Sequence, residues 1–256
     1  MISKIKDKIR YINERNNWYT AISIAASKCN GETFSPLKNK YVGKSVVVCG
    51  AGPSLNNYNP IEGAVHIALN RALLYEKVKF DYFFADDWDG INFMQEEINN
   101  YKCEKFLGYR CGGMSFREIP ESFRIKNNAK KYYTDSYIFP TPQNSKLVID
   151  IDKMPISNAY NMGLQIMQIA LFTNPSTIYL VGIDADASGH FSYKGLSDEK
   201  SKKIDKELKE YVDIKKMKDK WLEIKELRDV YYPDTKIISI NPVGLKGIFI
   251  DQYQNE

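Results

Sequence analysis

One short stretch constrains this chain more than any other. Ser45-Val46-Val47-Val48-Cys49 is an apolar, β-branched run that leads straight into Gly50-Ala51-Gly52-Pro53-Ser54-Leu55. Branched side chains suit a pleated strand, and an apolar run with no polar alternation suits a strand buried on both faces. Such a strand needs helices on both sides of a parallel sheet. The rest of the chain alternates accordingly. Further strands are expected at residues 64–69, 80–85, 105–109, 177–183 and 236–240, the last of these closing the sheet. Helices are expected at 91–100, from 159 onward with Met162, Ile166, Ile169 and Ala170 on one stripe, and as one long charged helix over 197–230. Residues 31–44 and 110–150 are expected to be irregular, the latter as a lid, an acceptor-binding insertion or plain surface loops. This pattern predicts an α/β fold: a Rossmann-like, mostly parallel sheet with helices on both faces. Residues 1–44 are expected to form an N-terminal helical extension and residues 45–256 a nucleotide-binding transferase domain.

Composition narrows the classes. With 256 residues, 43% hydrophobic and 27% charged, the chain can bury a sizeable core, which excludes a disordered chain and a disulfide-stapled miniprotein. A net charge of +4 is too small to argue for nucleic acid. No apolar run approaches the roughly 20 residues of a membrane span, and residues 1–28 lack the apolar core of a secretory signal. The expectation is a cytoplasmic protein. Residues 1–28 read as a basic amphipathic helix, packed on the domain or resting peripherally on the inner membrane face. Cys29, Cys49, Cys103 and Cys111 share no metal-binding spacing and read as reduced thiols.

In open parallel sheets, ligands bind beyond the carboxyl ends of the strands. Polar clusters stand at several of those ends: Gly50, Gly52 and Ser54, then Asn70 and Arg71, Asp86 and Asp87, Asp184 and Asp186, and Asn241. In the first cluster, Gly50 and Gly52 would let backbone approach a ligand, and exposed amides there would favour a phosphate. The other reading of the same residues is a tight strand-to-helix turn. Leu55 stands where the dinucleotide fingerprint has its third glycine, and no Gly-Lys-Ser/Thr follows as in a P-loop.

The segment from Val46 to Leu55 resembles the Gly-x-Gly-Pro-Ser-Leu opening of a Rossmann-like transferase superfamily. Its branches include the family 42 sialyltransferases, the Maf-type flagellin glycosyltransferases and the 6-hydroxymethylpterin diphosphokinases. The resemblance continues through Leu69-Asn70-Arg71, Tyr82-Phe83-Phe84-Ala85-Asp86, Ile178-Tyr179-Leu180-Val181-Gly182-Ile183-Asp184 and Ile240-Asn241-Pro242-Val243-Gly244-Leu245. It implies a glycosyltransferase that takes a nucleotide-activated sugar to a glycan acceptor, sialyltransferase-like, in bacterial surface-glycan synthesis. Carried over, donor contacts fall on Gly50, Gly52, Ser54 and Asn70, with Ser157 and Asn158 before the mid-chain helix. The alternatives are pyrophosphoryl transfer from ATP to a small hydroxymethyl compound, and a nucleotide-binding protein without turnover.

The resembled sialyltransferases carry a general-base His just before their last helix, and residues 198–230 here contain none. His66 lies inside an apolar strand and reads as a core residue. His190, in a polar loop, reads either as a base for an acceptor hydroxyl or as a solvated loop residue. Asp86 is the next candidate for the base. Asp184-x-Asp186 resembles the Asp-x-Asp that holds Mg²⁺ or Mn²⁺ against a nucleotide diphosphate in many glycosyltransferases, carboxylate oxygens being suitable ligands for hard cations.

Overall fold

A computed structural model of the protein describes residues 29–110, 118–135, 147–157, 161–186, 188–211 and 213–254. The strands are β1 (Ser45–Cys49), β2 (Val65–Leu69), β3 (Tyr82–Ala85), β4 (Glu104–Arg110), β5 (Lys130–Thr134), β6 (Thr177–Val181), β7 (Lys236–Ile240) and β8 (Ile250–Gln252). They form one sheet in the order β5-β4-β3-β2-β1-β6-β7-β8. Every adjacent pair is parallel, where the sequence pattern predicted a mostly parallel sheet. From β1 the chain works outward to β5, then returns to the other side of β1 to place β6.

Side-chain alternation explains why both faces are covered. Val46 and Val48 of β1 pack with Phe84, Ile178 and Leu180 in one core, whereas Val47 and Cys49 pack with Phe83 and Val181 in the other. The first core is closed by α5 (Met162–Phe172) and α7 (Ile214–Tyr231), through Ile166, Ala170, Trp221 and Ile224. The second is closed by α2 (Trp88–Ile91), α3 (Gln95–Asn100) and α4 (Glu121–Lys126), through Ile91, Ile98 and Phe123. Burying this much apolar surface is the main driving term for the fold.

Several expectations are corrected. Residues 31–44 are not simply a loop: α1 (Gly31–Phe34) and a 3₁₀ turn at Ser35–Leu37 bring Phe34, Leu37 and Tyr41 into the first core. Thr33 Oγ1 donates to the Lys131 carbonyl, and Asn30 Nδ2 to the Tyr133 carbonyl at 3.2 Å, so this stretch is tied to β5. The irregular stretch 110–150 contains α4 and β5. The single helix over 197–230 is two, α6 (Asp198–Tyr211) and α7, because Asp213 starts a new helix by accepting from the Lys216 amide at 3.1 Å. A further strand, β8, follows the one expected to be last. The helix expected over residues 1–28 lies outside the described residues. No described helix is long and apolar enough to cross a membrane.

Candidate functional site

The strand order reverses at β1, so the loops after β1 and β6 leave in opposite senses and open a crevice between them. Open α/β sheets bind ligands at such a switch point. A cavity of about 940 Å³ lies there, lined by Gly50, Gly52, Asn70, Arg71, Gly182, Asp184, Asp186 and His190 among others. The volume suits a nucleotide-sized ligand. The strand-end clusters of the sequence thus converge, with exceptions.

The floor of the cavity is a set of interlocked loops. The Gly50 amide donates to the Val181 carbonyl and the Gly52 amide to the Gly182 carbonyl, both at 2.8 Å. Gly182 is left-handed at φ +62°, and a Cβ there would meet the Gly50 carbonyl oxygen at 2.5 Å. A Cβ on Gly50 would meet the Gly182 carbonyl oxygen at the same distance. The space beside Gly52 is filled by the Asp184 carboxylate and the Gly182 carbonyl. These glycines exist so that two loops can touch, and the amides of Gly50 and Gly52 are not left for a phosphate. Ser54 is likewise turned inward. Its amide donates to Asp184 Oδ2 at 3.0 Å and its hydroxyl to Asp184 Oδ1. Burial raises the Asp184 pKa, against the lowering effect of those two bonds.

The metal expectation fails on the chemistry of the donor set. Both Asp184 oxygens serve Ser54, and Asp186 Oδ1 accepts from the Ser188 amide at 3.0 Å and from its hydroxyl at 2.5 Å. Among the described residues, no three His, Cys, Asp or Glu side chains converge to hold an ion. As arranged, Asp184 and Asp186 do not fit a divalent ion, so no metal-dependent step is assigned.

Other expected residues fall outside the cavity lining. Asp86 accepts from Gln165 Nε2 at 2.6 Å on the face covered by α5. Ser157 is fully buried, its carbonyl accepting from Gln168 Nε2 at 3.0 Å. Asn158 lies outside the described residues. Asn241 is left-handed at φ +47°, a conformation its short amide tolerates, and its side chain bridges the Asn57 carbonyl and the Gln254 amide at 3.1 and 3.0 Å. Its role in the fold is to tie down the chain after β8. His66 is a core residue, its ring between Tyr58 Oη and the Ala64 carbonyl, both at 3.0 Å.

The flank of the cavity differs in kind. Asn70, just after β2, is left-handed at φ +49°, and its Oδ1 is buried without a hydrogen bond. Next to it, Arg71 is only 4% exposed, with its guanidinium 4.6 Å from the Phe93 ring centroid and 5.7 Å from that of Tyr193. Its Nη1 is buried with no hydrogen-bond partner. Burial lowers the Arg71 pKa, opposed by Tyr193 and Asp205. His190 reaches the cavity because the Phe191 amide donates to the Ala51 carbonyl at 2.8 Å, pinning its loop over the floor. The Tyr193 hydroxyl accepts from the His190 amide at 3.1 Å and donates to Asp205 on α6. Burial first, then the Arg71 charge, lowers the His190 pKa to about 4, so the ring is neutral at pH 7.

The sequence reading missed Trp221, Asn161 and Gly163, which also line the cavity. Trp221 falls within the long charged helix expected over 197–230, and it is fully buried. Nothing in a one-dimensional stripe shows that its Nε1 lacks a partner and that it borders a cavity. Asn161 caps α5 by accepting from the Leu164 amide at 3.0 Å, a role its place before an apolar periodic run makes legible.

Fold and site define an open, doubly wound α/β protein with a nucleotide-sized cavity at its switch point. No family model and no curated protein matches the chain. Among solved structures it is similar to the sialyltransferase CstII from Campylobacter jejuni in complex with the substrate analogue CMP-3FNeuAc, at 15% identity and TM-score 0.47, over 83% of this chain and 87% of that one. It is similar also to the monofunctional α-2,3-sialyltransferase Cst-I from Campylobacter jejuni, at 18% identity and TM-score 0.44, over 77% of this chain and 75% of that one. A third is an α-2,3-sialyltransferase from Campylobacter jejuni in apo form, at 17% identity and TM-score 0.39, over 79% and 78%. One fold hosts many chemistries, so the function rests on the site rather than on this likeness.

Proposed function

We propose that the protein is a glycosyltransferase that holds a nucleotide-activated sugar in the switch-point cavity and passes the sugar to a hydroxyl of a glycan acceptor. The observation that carries this reading is the cavity itself, nucleotide-sized and bordered by a neutral imidazole. Because the His190 ring is neutral at pH 7, one of its two nitrogens is free of a proton and can accept one. In the transfer, the acceptor oxygen bonds to the anomeric carbon, the nucleotide leaves with the bonding electron pair, and His190 takes the hydroxyl proton. Asp86, held by Gln165 away from the cavity lining, is not assigned this step. The sequence resemblance supports a cytidine-activated, sialyl-type donor and a role in bacterial surface glycans. The proposed location is the cytoplasm, with residues 1–28 as the contact with the inner membrane face.

A thermal-shift panel of CMP, UDP, GDP and ATP, with and without Mg²⁺, tests the donor class. A ligand at about 100 times its Kd should stabilise the native state by roughly 2.7 kcal/mol. No shift with any nucleotide would sink the proposal. Once turnover is measured on a nucleotide sugar, His190→Ala should reduce it by ~10²–10⁴-fold and leave nucleotide affinity within a few-fold. Parental turnover would remove His190 as the base.

A further inference from the structure

The geometry points to Arg71 as the anion anchor of the cavity: its unpartnered Nη1 binds an anionic oxygen of the ligand, on a phosphate or on a sugar carboxylate. The inference deepens the reading above and rests on it for the ligand's identity, but the anion site stands on the side chain alone. A guanidinium carries five N–H donors and a permanent charge, and taking it out of water is costly unless it is paired. Arg71 is 96% withdrawn from solvent in the free protein (4% exposed), yet no carboxylate forms an ion pair with it among the described residues. What holds it instead is the Phe93 ring at 4.6 Å and the Tyr193 ring at 5.7 Å. Two aromatic faces fix the plane of the guanidinium without using its hydrogens. That arrangement keeps a charged fork oriented and chemically unspent.

The nearest acid in this cluster is already occupied. Asp205 accepts from the Tyr193 hydroxyl, and Tyr193 stands between it and the guanidinium as a ring. Asp184 and Asp186, the acids of the floor, serve Ser54 and Ser188. Asp87, Asp89 and Glu207 also line the cavity, yet none of them is ion-paired with Arg71, so an entering anion would find one buried cation without a salt-bridge partner among the described residues. It would neutralise the Arg71 charge and help a phosphate depart as the sugar–phosphate bond breaks, a task in which a charged donor counts most in a site shielded from water.

The same anion would be felt by His190. The groups facing His190 are Arg71, Tyr193, Asp205 and the Ala51 carbonyl, and Arg71 is the one that opposes its protonation electrostatically. Cancelling the Arg71 charge lets the imidazole hold a proton more readily, so the base gains strength when the anion is in place.

The chain holds two histidines, so each ring can be followed by NMR titration. Inorganic phosphate should raise the His190 midpoint from about 4 and leave His66 where it was. Arg71→Met keeps the contact with Phe93 and Tyr193 but should abolish the phosphate response. In the parent, CMP should bind roughly 10–100-fold more tightly than cytidine, the increment of a charge-assisted contact. If the anchored group is phosphate, Arg71→Met erases that ratio and Arg71→Lys restores part of it. If the group is a sugar carboxylate, Arg71→Met instead erases a preference for N-acetylneuraminate over its methyl ester. A His190 midpoint indifferent to phosphate, or a folded Arg71→Met variant that keeps both preferences, overturns the inference. A phosphate response without any nucleotide binding leaves the anion anchor standing and removes the glycosyltransferase reading.

Discussion

The floor and the flank border the same cavity, yet they use their polar groups in opposite ways. On the floor, Gly50, Gly52, Ser54, Gly182 and Asp184 satisfy one another completely enough that the loops lock together. On the flank, Asn70 Oδ1, Arg71 Nη1 and Trp221 Nε1 are buried and unpaired. Native proteins pair nearly all buried polar groups, so these orphans beside the cavity are the groups to which the proposed ligand would supply the missing partner. The comparison assigns architecture to the residues with the clearest sequence motif and recognition to residues with almost none.

The largest effect expected from breaking the floor is at Gly182. Gly182→Val adds a branched side chain to a left-handed residue and drives its Cβ to 2.5 Å from the Gly50 carbonyl oxygen. The combined strain and overpacking should cost about 3–5 kcal/mol, measured by denaturant unfolding. A variant that unfolds like the parent and loses only ligand binding would make the floor a binding element after all.

A second test uses pH and bears on the flank. His190 titrates near 4 in the folded protein, against an ordinary value of 6.5. Between those values the unfolded chain binds more protons, so stability should fall on acidification through that window and be fully present above it. The contribution is about 3 kcal/mol. His66, lowered by its own burial, adds to the same slope, while the raised Asp184 opposes it. The discriminating measurement is the difference between the parent and His190→Gln stability curves, which should be flat above about pH 6.5 and sloped below it. A difference that does not change with pH would mean that the ring is solvated.

The smallest expected effect returns to the floor. Ser54→Ala removes the hydroxyl that serves Asp184 and leaves a buried oxygen short of a partner, at a cost of about 1–3 kcal/mol. Thermal unfolding of this variant with and without nucleotide separates the two roles. Lower stability with unchanged ligand-induced stabilisation supports an architectural Ser54, whereas loss of the ligand response would move Ser54 to the flank.

The legibility of the fold follows the same division. β1, β2, β3, β6 and β7 are visible as apolar, β-branched or aromatic runs because central strands must bury both faces. The edge strands were not legible. β5 reads Lys130-Lys131-Tyr132-Tyr133-Thr134, and β8 is three residues long with Ile250 exposed, so neither carries a two-sided apolar pattern. The break before Asp213 was hidden because the charged periodicity runs on across it, and only the cap bond to the Lys216 amide marks it.

At the site, the sequence by itself determined that polar and glycine residues would gather at the carboxyl ends of the strands, because strand ends are where a parallel sheet exposes its loops. It also placed Asn70, Arg71 and His190 among the candidates. What only the tertiary structure decided is which of these residues spend their polar groups on each other. The pairing of Ser54 with Asp184 spans 130 positions, and the contact of Gly50 with Gly182 joins two loops that are neighbours only because the chain returns to the far side of β1. Hydrogen bonding is short-ranged in space and indifferent to distance along the chain. The sequence therefore names the donors and acceptors, and the fold decides which of them remain free for a ligand.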